Sequence, residues 1–100
     1  MKNKQDHFDV LRKIKNNPET TQRQLAKDLG FSLGKLNYCL HSLKKKGLIK
    51  INNFSKNKKK LNYLYLLTPK GILTKSELTY RFLKLKAKEY EELQNELEKK

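Results

Sequence analysis

A mainly α-helical fold carrying a two-stranded β hairpin, in the order α-α-α-β-β-α, is what this sequence predicts. Three observations lead there. Apolar residues recur at three- and four-residue spacings up to Leu43, the pattern changes to short β-type runs after Gly47, and helical spacing returns at Pro69.

The first helix is expected from about Asp6 to Asn16, with Val10, Leu11 and Ile14 as its apolar stripe and Phe8 one turn earlier. It ends at Asn17-Pro18, because a proline disfavours helical backbone in the residue before it. Thr21 and Gln24 fit a capping box opening a second helix, whose buried positions are Leu25, Ala26 and Leu29. Gly30 closes it with left-handed backbone. Only Phe31 intervenes before Ser32, the natural N-cap of a third helix that repeats Leu33, Leu36, Leu40 and Leu43 and stops at Gly47. Two helices joined by so tight a glycine turn form a helix-turn-helix. Leu48–Ile51 and Tyr63–Leu67 then read as strands flanking a polar loop, residues 52–60, that holds four lysines and no acid. A basic hairpin directly after a helix-turn-helix is the pattern of a wing, so the predicted fold is a winged helix-turn-helix.

Thr68 is a candidate N-cap and Pro69 suits the first helical position, where its missing N–H costs nothing. A helix from Pro69 to about Glu98 would be roughly 45 Å long, more than so small a domain can cover. Leu83, Ala87, Tyr90, Leu93 and Leu97 lie on its distal half at near-heptad spacing, which assigns them to dimerisation with a second copy. The chain thus divides into a helix-turn-helix domain, 1–68, and a dimerisation helix, 69–100.

Charge narrows the partner. Twenty-four Lys and Arg oppose ten Asp and Glu, a formal net charge of +14. Between Leu29 and Ser76 there are eleven lysines and no acid. A solubilising surface intersperses the two signs, whereas segregation points to one face that meets a polyanion. The sequence has no apolar run long enough to span a bilayer and no apolar stretch near Met1, so a cytoplasmic location is expected. One cysteine and two distant histidines leave no disulfide framework and no metal-ligand cluster. With no glycine-rich phosphate loop, carboxylate pair or nucleophile motif, neither an enzyme nor a cofactor is expected.

If Leu36, Leu40 and Leu43 face the core, the opposite face of the third helix carries Gly34, Lys35, Asn37, Tyr38, His41, Ser42 and Lys45. A helix entering the major groove of double-stranded DNA needs this mixture: asparagine reads adenine bidentately, lysine reaches guanine or phosphate, and glycine permits close approach. Lys35, Asn37 and Tyr38 are expected at base edges or the groove floor; Ser32, Lys45, Lys56, Lys58 and Lys59 at phosphates, with Lys60 beside them. A solvated polar face and a solvated lysine loop are the duller readings. Cys39 sits beside the buried leucines and reads as a packed thiol. Tyr63 and Tyr65 read as packing residues, although aromatics beside lysines also stack unpaired bases. A protein-binding adaptor and a non-specific nucleic-acid binder therefore stay open beside a sequence-specific regulator.

The strings SLGKLNYCL, KKGLIKINNF, YLYLLTPKGI and LTYRFLKLKAKEYEEL resemble the small MarR-type winged-helix regulators associated with exopolysaccharide (EPS) gene clusters. The resemblance implies a bacterial, homodimeric transcription factor, a repressor by expectation, that binds a palindromic operator near polysaccharide or capsule genes. It would place the recognition helix at 32–46 and the wing at 51–63. Typical relatives are longer and dimerise through helices at both ends. Here that duty is expected to rest mainly on the C-terminal helix, and a small-molecule effector is left undetermined.

Overall fold

Helix α1, Asn3–Asn16, buries Phe8, Val10, Leu11 and Ile14 along one face. The computed structural model describes the backbone of residues 3–57 and 60–99, and the side chains of 4–52 and 64–99. After α1, a two-residue strand β1 (Glu19–Thr20) leads into α2 (Gln22–Leu29) and α3 (Leu33–Lys45). Strands β2 (Ile49–Asn57) and β3 (Lys60–Leu67) form the hairpin, and α4 runs from Pro69 to Glu98.

The helix ends follow the predicted chemistry, with one change. Thr21 Oγ1 accepts from Gln24 N–H at 3.1 Å, but the Gln24 side chain does not return the bond; its amide donates to Asp28 at 2.8 Å. Gly30 takes φ +73°, a left-handed conformation that costs a Cβ-bearing residue most, and its N–H closes the last turn of α2. Ser32 Oγ accepts from Lys35 N–H at 3.1 Å and opens α3. Thr68 Oγ1 accepts from Gly71 N–H at 3.0 Å to open α4.

Leu36, Cys39, Leu40 and Leu43 of α3 meet Val10, Leu11 and Ile14 of α1, Leu25 and Ala26 of α2, and Leu48, Ile49 and Tyr65 of the hairpin base in one core. Leu29 is half-buried at its edge, and Leu33 is exposed. Leu33 occupies the first turn of α3, so the leucine period begins before the residues of that helix that enter the core.

The winged architecture is as predicted, and its sheet is larger than the sequence implied. Ile49 pairs with Leu67 and Ile51 with Tyr65, and the antiparallel ladder continues through Phe54–Asn62 to a register shift before Asn57–Lys60. Much of the expected loop is therefore strand: cross-strand backbone pairing overrides the polar side chains of 52–57. A third strand, unforeseen, comes from β1, where Glu19 pairs with Leu64 and Thr20 with Tyr63, giving the order β1-β3-β2. Pro18 assists, its carbonyl accepting from Tyr65 N–H at 2.7 Å.

The start of α4 is bolted to the hairpin base. Thr68 Oγ1 donates to the Gly47 carbonyl at 2.6 Å, and Thr68 N–H donates to the Leu48 carbonyl at 3.0 Å. One turn on, a Cβ at Gly71 would collide with the Leu48 carbonyl oxygen, so only glycine lets helix and strand approach this closely. Leu78 packs on the core, and Phe82 stacks on Phe8 of α1 with ring centroids 4.9 Å apart. From Leu83 to Lys99 every residue is exposed.

Candidate nucleic-acid interface

The exposed face of α3 is set by its buried one. With Leu36, Cys39, Leu40 and Leu43 turned inward, the 3.6-residue period sends Gly34, Lys35, Asn37, Tyr38, His41 and Lys45 outward, with Ser42 half-buried at the margin. The structure therefore gathers the predicted residues of this helix on one surface. Tyr38 is its largest member, at 62% exposure. A Cβ at Gly34 would meet nothing within 4 Å, so packing within the chain does not require the glycine, and the helix surface there is open.

Two of these side chains are held by groups that sequence inspection passed over. Asn37 Oδ1 accepts from Gln22 Nε2 at 2.9 Å, a contact between the first turn of α2 and the second of α3. A carbonyl oxygen has a second lone pair and the Asn37 amide keeps both its N–H groups, so the bond orients Asn37 without using up its capacity to read a base. Lys35 Nζ lies 3.3 Å from Asp6 and 4.3 Å above the Phe31 ring. Lys35 thus leans toward α1 and the helix-turn-helix corner. Such an exposed ion pair contributes little stability, and a phosphate can compete for the ammonium. Fifteen residues separate Gln22 from Asn37, and only the α2–α3 crossing brings them together; no linear spacing signals it.

Ser32 presents a hydroxyl and an exposed helix N-terminus at the same edge, where backbone N–H groups favour an anion. Lys44, Lys45 and Lys46 line the far end of α3, and Lys50 is exposed on β2. Lys56, Lys58, Lys59 and Lys60, assigned to phosphates, lie outside the residues whose side chains the structure describes, as does Tyr63. Tyr65 is fully buried, a packing residue. Cys39 is buried too, and burial, reinforced by Asp6, pushes its thiol above the ordinary range, so it is not a reactive thiolate. His7 is buried with no hydrogen-bond partner for Nε2 among the described residues. Burial and then the charge of Lys46 lower its pKa, while Asp6 opposes them. Among the described residues no group of His, Cys, Asp and Glu is placed to hold a metal ion, and no helix is long and apolar enough to cross a membrane.

A recognition-type helix, N-capped and acid-free, thus stands beside an antiparallel hairpin, on a core shared by three helices. The fold is a winged helix-turn-helix. A family model described as winged helix-turn-helix DNA-binding matches residues 7–50, from α1 to the first residues of β2. Solved structures extend the likeness into α4. The transcriptional regulator BldR from Sulfolobus solfataricus superimposes with a TM-score of 0.73 at 21% identity, over 93% of this chain and 69% of its own. Streptococcus pneumoniae FabT, solved in complex with DNA, gives 0.64 at 26% identity, over 85% of this chain and 57% of its own. Staphylococcus aureus MarR, solved with salicylate and kanamycin, gives 0.68 at 22% identity, over 87% and 57%. The chain spans little more than half the length of FabT and MarR. No match was found among curated proteins.

Proposed function

We propose that this chain is a double-stranded DNA-binding transcriptional regulator of the MarR type, acting as a homodimer on an inverted repeat. The observation that carries the reading is the outward face of α3. In one exposed patch it combines a base-reading amide braced from a neighbouring helix (Asn37), a flanking aromatic (Tyr38), an open glycine (Gly34) and terminal lysines. The absence of any acid from Leu29 to Ser76 suits this patch to a polyanion.

In this reading α3 enters the major groove with Asn37 and Tyr38 deepest. Lys35, expected at base edges from the sequence, is reassigned here because it leans toward Asp6: it exchanges that carboxylate for a phosphate at the edge, and Ser32 and Lys45 hold the backbone on either side. The hairpin lysines add phosphate contacts that fix register and raise affinity on every sequence alike. Leu83, Ala87, Tyr90, Leu93 and Leu97, all exposed, pair two copies through α4. The sequence resemblance extends the proposal to repression of exopolysaccharide or capsule genes from a cytoplasmic, bacterial setting.

Selection of bound duplexes from a random pool, at about physiological salt, tests it. The expected result is an enriched inverted repeat whose half-sites lie about one helical turn, roughly 34–36 Å, apart. Retention without enrichment would make the chain a backbone-only binder, and no retention would move the reading to a protein-binding adaptor.

A further inference from the structure

The distal half of α4 carries two features that the dimer reading does not by itself use: its charge is split lengthwise, and its apolar seam contains a lysine. From Leu78 to Lys88 the helix has Arg81, Lys84, Lys86 and Lys88 and no acid; from Glu89 to Glu98 it has Glu89, Glu91, Glu92, Glu96 and Glu98 and no base. All of these side chains are exposed. Thr79, Leu83, Lys86, Tyr90, Leu93 and Leu97 follow alternating four- and three-residue steps down one side of this two-block helix, with Ala87 flanking Lys86 at the edge of the seam and Leu83 65% and Leu97 72% exposed. That spacing is a coiled-coil seam lacking its second strand.

Resting on the proposal that the chain dimerises through α4, we propose that the two helices pair antiparallel, crossing near Lys88. A parallel pair would set the basic block against the basic block and the acidic against the acidic. It would also put Lys86 against Lys86 inside the seam. Paired helix axes lie roughly 8–10 Å apart, about one Debye length at physiological salt, so neither repulsion is screened away. Reversing one helix turns both repulsions into attractions. Each basic block then faces the acidic block of the other copy. Leu83 meets Leu93, Thr79 meets Leu97, and the Lys86 stem lies along Tyr90, its ammonium, 4.0 Å from Glu89 of its own helix, adding the carboxylates of the other copy.

Reversal also positions the DNA-reading lobes. Each lobe grips α4 between Gly71 and Phe82. In a pair crossing near Lys88 the midpoints of the two gripped segments lie about 23 residues, or about 35 Å, apart along the common axis. That separation matches one turn of duplex. A parallel pair would crowd both lobes at one end.

The test is the distance between nitroxides on the full chain, in a Cys39→Ala background, with single labels at Lys88→Cys or Glu98→Cys. The antiparallel pair gives a short separation at 88 and about 30 Å or more at 98. Short separations at both positions mean a parallel pair and overturn the proposal. So does a monomer by sedimentation at the labelling concentration. A second measurement leaves Cys39 in place: under mild oxidation Leu83→Cys with Leu93→Cys closes a covalent dimer, whereas either substitution alone does not. Rapid closure by a single variant overturns the proposal. Selection from the random DNA pool, run on the same preparations, keeps the two readings apart. An enriched inverted repeat with short separations leaves the regulator standing without this pairing, and an antiparallel signature without retained DNA does the reverse.

Discussion

Under the proposed function, the bond from Gln22 to Asn37 would prepare a reading residue before its ligand arrives. An asparagine free to rotate must be ordered on binding, and one held by a neighbouring amide has already lost that freedom. Asn37→Ala is expected to relax sequence preference at one base pair, costing about 1–3 kcal/mol on the preferred site and little on scrambled DNA. Gln22→Ala should weaken the same preference by less. Equal losses on both DNAs, measured by competition titration, would contradict these roles. His7 makes a pH prediction. Its pKa is lowered by burial, so the unfolded chain binds a proton more readily than the folded one. Stability therefore rises with pH through the window below the ordinary value of 6.5 and is flat for this group above it. Urea unfolding at a series of pH values should show that slope, and His7→Gln should flatten it.

At the scale of elements, the joint between the hairpin and α4 governs tolerance to change. Gly71→Ala drives a Cβ into the Leu48 carbonyl, against backbone that cannot rotate aside. A loss of about 2 kcal/mol or more is expected by thermal or urea unfolding, although alanine is the better helix former. Nothing in Thr-Pro-Lys-Gly-Ile marks Gly71 out from a helix-tolerated glycine; the collision is with Leu48, a residue remote in sequence. The same limit divides what could be read beforehand from what could not. Caps at Thr21, Ser32 and Thr68 and the leucine spacing of α3 are local, and the three capped helices emerged where those signals put them, whereas the uncapped α1 begins at Asn3, a turn before the expected Asp6. β1 is invisible to period or propensity, because two residues become a strand only when β3 arrives to pair with them. The ladder through Asn52 and Phe54 likewise comes from cross-strand hydrogen bonds that polar sequence conceals. At the interface, the outward set on α3 follows from its inward set, whereas the bracing by Gln22 and Asp6 needed the helix crossing.

For the whole molecule, the placement of charge fixes how binding responds to salt. A basic protein that neutralises several phosphates releases as many counterions, so affinity falls steeply as salt rises. Lys45→Ala and Lys56→Ala should each lower affinity for operator and scrambled duplex alike and reduce the salt slope by about one. Fluorescence anisotropy between 50 and 300 mM salt checks this. A change in preference without a change in slope would move those lysines to base contact.

The contact between Gly71 and Leu48 has a mechanical meaning. A hinge needs room to turn, and here a helix is seated on a carbonyl with no atom between, clasped by Thr68 to Gly47 and Leu48. The joint leaves little room for a change in the angle of α4, so α4 is expected to act as a lever. Tilting α4 by about 10° about Gly71 carries its far end, about 40 Å away, through roughly 7 Å. If the fulcrum holds, that motion would reappear as rotation of the hairpin and of the C-terminal end of α3, the parts that would grip DNA. Whatever holds or releases the tip of α4 thereby gains leverage over the grip itself.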